Sequence, residues 1–195
     1  MITAILNWDE GLTEKANHLI GHSFWFDRII SILSVGLVYL VPLILLGVWF
    51  YSSHTKKQAL QMLFSGLLAW FVFNGLFARF VWTRPRPYIA DMVNIRELIF
   101  HRPTYSFPSD HAALFAALVC SAWLLGFKKL GWWFFAMGVT VGITRVIIGV
   151  HYPLDILAGI VFGALAAFIL QWLKKPLTRF VYDPIIKVAQ KIHLA

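Results

Sequence analysis

Apolar residues run in long blocks along this chain, broken by short polar stretches. A helix that crosses a bilayer needs about 20 mostly apolar residues. Five blocks meet or approach that length: Ile29–Phe50, Ala59–Phe80, His111–Phe127, Gly131–Val150 and Pro153–Leu173. The third is short, so its polar start is expected to be sunk below the membrane surface. Ahead of the blocks, residues 1–28 interleave Asp9, Glu10, Glu14 and Lys15 with Leu6, Trp8, Leu12, Leu19, Phe24 and Trp25. That pattern predicts an interfacial helix and a turn, with a sixth, shallow span as the alternative. Residues 176–195 alternate lysines with Phe180, Val181, Ile185, Ile186 and Ile192, as in a tail lying along the membrane surface. The longest gap, Tyr88–Pro108, holds an amphipathic piece around Met92–Phe100, expected as a short helix over a site. No internal repeat or low-complexity segment interrupts the pattern.

Composition agrees with the pattern. Hydrophobic residues make up 59% and charged residues 13%, whereas soluble domains carry about 25% charged residues. The expected fold is an all-α integral membrane protein, a bundle of five transmembrane helices (or six) with interfacial helices at both ends. Residues 1–195 read as one domain. The lone Cys120 sits inside an apolar run and reads as a small core residue. No basic leader with a cleavage site is present, so no signal peptide is expected to be removed. With five spans, eight of the nine lysines fall on the side of the 51–58 loop and the C-terminus, and eight of the nine acids fall on the other. The excess of lysine marks the cytoplasmic side. A combined Lys and Arg count is nearly tied, nine against eight, because arginines crowd the opposite side. The net charge of +8 gives no reason to invoke nucleic acid.

Those arginines stand at the ends of the apolar blocks, facing outward, together with the chain's most reactive side chains. Arg79 ends the second block, and Arg84-Pro85-Arg86-Pro87 follows, where the prolines stop the helix and stiffen its exit. A planar guanidinium grips phosphate oxygens with paired hydrogen bonds. Pro108-Ser109-Asp110-His111 opens the third block. Ser109 and Asp110 read as ordinary helix caps, but a histidine at the mouth of a membrane helix is a functional-site candidate. Arg145 lies near the outer end of the fourth block, on a face shared with Gly138, Gly142 and Gly149 that suits close packing. It needs an anionic partner, either Asp155 or a bound phosphate. His151 and Asp155 flank Pro153, which predicts a helix start with His151 at the cap and Asp155 one turn in. The row Asp155, Gly159, Gly163, Ala167 turns that carboxylate into the bundle. A carboxylate beside a histidine fixes its tautomer and steadies the imidazolium. No third ligand stands at metal-binding spacing, so no metal and no cofactor is expected. His18, His22, His54, His101 and His193 read as surface residues.

In order and spacing these residues resemble the three signature motifs of the type 2 phosphatidic acid phosphatase superfamily, which includes the vanadium haloperoxidases. Arg79, six residues, Arg86-Pro87 is similar to the first, with Arg for Lys. Pro108-Ser109-Asp110-His111 is similar to the second, with Asp for Gly. Thr144-Arg145, five residues, His151, three residues, Asp155 is similar to the third, with Thr for Ser. The motif core covers residues 79–155. The Phe-Pro-Ser-Asp-His version and the small size resemble the bacitracin-resistance type of undecaprenyl pyrophosphate phosphatase.

The resemblance implies a metal-free phosphoryl transfer. Arg79, Arg86, Ser109, the Asp110 amide and Arg145 would cradle the phosphoryl group. Arg84 and Thr144 would lie near the substrate. His151, oriented by Asp155, would attack phosphorus, and His111 would protonate the leaving group and then activate water. Asp110, an acid where the family has glycine, would repel the phosphate unless paired with Arg84 or turned away as a cap. The expected activity is hydrolysis of undecaprenyl pyrophosphate at the outer face of a bacterial inner membrane. Its alternatives are a broader lipid phosphatase acting on phosphatidic acid or phosphatidylglycerol phosphate, a lipid phosphotransferase, and a non-catalytic anion-binding transporter. Intact His111, His151 and Asp155 argue against the last, since binding needs only the arginines.

Overall fold

The computed structural model describes residues 2–75, 80, 83–90 and 105–192, and every regular element among them is helical. The elements are α1 (Ile2–Asn17), α2 (Phe24–Tyr51), α3 (Lys56–Leu67), α4 (Asp110–Leu124), α5 (Lys128–Ile147), α6 (Pro153–Trp172), α7 (Lys174–Leu177) and α8 (Asp183–Lys191). α3 runs on as a π-helix over Leu68–Asn74, and a second π-helical turn, Thr178–Tyr182, joins α7 to α8. By length and apolarity, α2, α5 and α6 suit a membrane crossing, and α4 is a shorter apolar helix. The protein is a multi-pass membrane bundle whose apolar side chains stay exposed along its flanks, such as Tyr39, Leu43, Ile143 and Phe168. The second predicted block runs past the π-helix into residues 76–79, which lie outside the described set. So do Arg79 and the Met92–Phe100 piece.

Between helices in lipid there is no hydrophobic drive, so close backbone approach and polar clamps hold them. α4 and α6 show both the approach and its cause. A Cβ at Gly159 would stand 2.5 Å from the Ser109 carbonyl oxygen, and one at Gly163 would overlap the Ala113 carbonyl oxygen. Ala113, Ala117 and Ala166 fill the rest of that seam, with Ala69 of the π-helix. Larger side chains (Val41, Met62, Phe115, Leu118, Phe134) pack where α2, α3, α4 and α5 meet. Gln61 donates to Gln171 at 2.6 Å, tying α3 to α6.

Three local expectations shift. α2 begins at Phe24, earlier than the apolar block, because Ser23 caps it and Asp27 accepts the Gly21 N–H. Residues 24–28 therefore belong to α2, not to the terminal turn. Gly149 is not on a packing face: with φ +69° it stops α5, and the Val150 N–H returns to the Arg145 carbonyl. The N-cap of α6 is Tyr152 rather than His151. The C-terminal helices fold back on α3, where Lys57 pairs with Asp183 at 2.7 Å and Tyr182 packs against Phe64.

Candidate active site

The second and third motifs meet through backbone. Ser109, the N-cap of α4, donates its N–H to the Asp155 carbonyl at 3.0 Å, while its Oγ accepts from Ala112. Asp155 closes the first turn of α6, its Oδ2 accepting the Tyr152 N–H at 2.9 Å. The Gly159 contact allows this approach, since any side chain there would push Ser109 away.

His151 lies in the turn between α5 and α6 and is 1% exposed. Its Nδ1 is 2.8 Å from the Ser106 carbonyl oxygen and 3.6 Å from Asp155 Oδ2. A carbonyl can only accept, so Nδ1 carries the proton and Nε2 keeps its lone pair. Near Nε2 stand Arg86 NH1 at 3.5 Å and Asp110 Oδ1 at 3.8 Å. Burial pushes the imidazole down to about 4; Arg86 and Arg145 press the same way, against Asp155. It is a neutral base with a directed lone pair.

His111 stands on the other side of the same Asp110 carboxylate. Its Nδ1 is 2.6 Å from Asp110 Oδ1, and its Nε2 is 2.6 Å from Arg145 NH2. Trp70, carried on the π-helix, covers its ring at 5.3 Å between centroids. Arg86 is buried and also donates to the Val150 carbonyl at 3.1 Å. His111, Asp110, Arg86 and Arg145 line a cavity of about 430 Å³ that Val38, Trp70 and Tyr88 complete. An apolar groove of about 500 Å³ between α2 and α3 shares Val38 and Trp70 with it.

Two expected neighbours of the phosphate are engaged elsewhere. Arg84 does not meet Asp110. Its NH1 is 2.7 Å from Asp9 and 3.3 Å from Asp155, and its guanidinium lies 3.5 Å over the Tyr152 ring. The Thr144 hydroxyl bonds back to the Thr140 and Val141 carbonyls of its own helix. Asp110, in turn, is neither paired with Arg84 nor a plain cap, because its carboxylate holds His111. Arg79 lies outside the described residues. His18, His22 and His54 are exposed, as expected, and Cys120 is half-buried in an apolar groove rather than in the core.

The sequence reading missed Asp9, Ser106 and Trp70. Asp9 is 0% exposed: Oδ2 meets Arg84, and Oδ1 accepts the Leu154 N–H at 2.9 Å. Burial pushes its carboxyl up, while Leu154 and Arg84 hold it back. Its one trace in sequence is the polar row Asp9, Thr13, Asn17 at one-turn spacing.

The profile of the PAP2 superfamily matches residues 50–179, which contain every motif residue described above. The chain belongs to the PAP2 superfamily. Across 182 residues it is 31% identical to Undecaprenyl-diphosphatase BcrC of Bacillus subtilis, covering 91% of this chain and 90% of that protein. It is also 31% identical to Bacitracin transport permease protein BcrC of Bacillus licheniformis, covering 85% of this chain and 81% of that one. Among solved structures, the transmembrane PAP2 type phosphatidylglycerolphosphate phosphatase of Bacillus subtilis superposes with a TM-score of 0.68 at 26% identity. That superposition covers 91% of this chain and 89% of the other. This PAP2 protein is a hydrolase, a membrane phosphatase.

Proposed function

We propose that this PAP2 phosphatase hydrolyses undecaprenyl pyrophosphate to the monophosphate through a phosphohistidine, at the outer face of a bacterial inner membrane. The observation that carries the lipid reading is the shared wall of Val38 and Trp70. It joins a cationic cavity lined by His111, Arg86 and Arg145 to an apolar groove along α2 and α3. The first would take the diphosphate head and the second the nearest isoprene units of the tail. The name of the Bacillus subtilis relative supports the choice of substrate.

The chemistry follows from the nitrogens. Nε2 of His151 attacks the terminal phosphorus, and the bond to the bridging oxygen breaks. The bound phosphate draws Arg145 off His111, whose Nε2 then takes up a proton from solvent and passes it to the departing lipid phosphate. His111, neutral again, removes a proton from water. That water attacks phosphorus, the P–N bond breaks, and inorganic phosphate leaves. Arg86 and Arg145 neutralise the transferring group, the task a divalent ion performs elsewhere.

Phosphate release by the purified full-length protein, compared across undecaprenyl pyrophosphate, phosphatidic acid and phosphatidylglycerol phosphate, tests the reading. The expected order puts the polyprenyl diphosphate first, with activity surviving EDTA. A glycerolipid turned over as efficiently would overturn the substrate, and loss on chelation restored by a divalent ion would overturn the chemistry. Orientation has its own check in a Cys120→Ala background. A cysteine at exposed Tyr105 should react with an impermeant thiol reagent on intact cells, and one at exposed Ser53 should not.

A further inference from the structure

The N-terminal helix turns a polar stripe inward. Asp9, Thr13 and Asn17 are all buried, while Ile5, Trp8 and Leu12 face out. Two of the three bond to backbone carbonyls, Thr13 within its own helix and Asn17 on α5. Thr13 donates to the Asp9 carbonyl, and Asn17 donates to the Ile147 carbonyl, each at 2.9 Å. Asp9 reaches further, to Arg84 and to the first turn of α6.

Arg84 touches both groups that face Nδ1 of His151. Its guanidinium lies 3.3 Å from Asp155. Its carbonyl accepts the Ser106 N–H at 2.8 Å, and the Ser106 carbonyl faces Nδ1. Both acceptors for that nitrogen thus hang on one arginine, whose side chain hangs on α1. We propose that Asp9 is a positioning residue: acting through Arg84, it sets the place of Asp155 and so the orientation of the nucleophilic imidazole. The inference rests on His151 being the nucleophile. One guanidinium is divided between two carboxylates. Remove the charge of Asp9, and Arg84 shifts toward Asp155, which leaves its place beside His151.

The test uses the full-length protein. Asp9→Asn keeps an acceptor for Leu154 and removes the charge. The kcat should fall about 10- to 100-fold, the range in which orienting partners act, with KM within about threefold of native. Trapped phosphoenzyme should form more slowly. A folded Asp9→Asn protein with native kcat would overturn the proposal. Arg84→Gln leaves Asp9 and Asp155 facing each other, so adding Asp9→Asn to it should restore turnover. Losses that simply multiply would also sink the idea. If Asp9→Asn does not accumulate folded, Asp9→Glu is read instead, since it displaces the carboxylate by a methylene. Lost kcat at native KM supports the proposal, and native kcat overturns it. His151→Ala tests the parent reading separately. Turnover there removes the nucleophile, whereas a dead His151→Ala beside a native Asp9→Asn removes only the present inference.

Discussion

The carboxylate of Asp110 lies 2.6 Å from Nδ1 of His111 and also accepts that residue's backbone N–H. His151, by contrast, has a backbone carbonyl as its nearer Nδ1 partner, with Asp155 further off. Both imidazoles are thus anchored through Nδ1 and turn Nε2 toward the groups that would handle phosphate. Asp110, one of the three residues that depart from the family motifs, completes the second anchor.

Replacing Asp110 should therefore change chemistry and preference together. In Asp110→Gly, turnover of a lipid diphosphate should fall about 10- to 100-fold because His111 loses its orienting partner. The loss should be smaller for a lipid monophosphate, because a negative charge 3.8 Å from the attacking nitrogen is gone. Steady-state kinetics on both head-groups give the answer. An unchanged substrate profile would reduce Asp110 to a helix cap.

The two histidines should separate in acid-quench trapping of labelled phosphoenzyme. His151→Ala is expected to lose turnover and label together. His111→Ala should slow both steps, and less so with a nitrophenyl phosphate, whose leaving group needs no proton. Label retained in His151→Ala and absent from His111→Ala would reverse the roles.

The pH dependence follows from the burial of His151. Its folded value of about 4 lies below the ordinary imidazole, which titrates near 6.5 in an unfolded chain. Between these values the unfolded chain holds a proton that the folded one does not. The contribution of His151 to stability is therefore whole above the upper value and erodes as pH falls through the window. Thermal unfolding should show that decline, flattened in His151→Gln. The acid limb of kcat/KM should lie below about pH 5, because the nucleophile stays neutral to that point. A limb near 6.5 would mean that the free enzyme does not bury this ring.

Glycines of α6 should be intolerant of even a methyl group. Overpacking costs about 1–3 kcal/mol where neighbours cannot move, and here the neighbours are backbone. Gly163→Ala should lower Tm. Gly159→Ala, pressed on the Ser109 carbonyl, should lose activity as well. Gly11→Ala, with nothing within 4 Å of the new methyl, is the control. Native turnover in Gly159→Ala would show that the contact is slack.

Most of the helical frame was readable because the apolar runs are long and are broken by short polar, glycine or proline stretches. α5 and α6 start within three residues of expectation. The polar cluster was readable because histidine, arginine and aspartate at membrane-helix ends have few cheap uses. Asp9 was not. Helical spacing reveals a stripe, not which way it turns, and in lipid the usual rule inverts: the apolar face of α1 looks outward and its polar row looks in. Ser106 acts through a carbonyl that every residue has. Trp70 sits on a π-helix, whose extra residue per turn shifts every later side chain off the 3.6 period. The pairing of Arg84 with Asp9 was hidden because the two are 75 residues apart in sequence.

The glycine seam between α4 and α6 has a consequence for motion. Backbone touching backbone leaves no side-chain layer to slide or repack, so the helices that carry His111 and Asp155 have little room to shift against each other. Whatever yields to admit a bulky head-group belongs to the opposite wall, where α2 and the π-helical end of α3 meet through rotatable side chains such as Val38 and Trp70. The reactive imidazoles thus stand with the closely packed pair of helices, and the adjustable side chains stand on a wall that carries neither histidine.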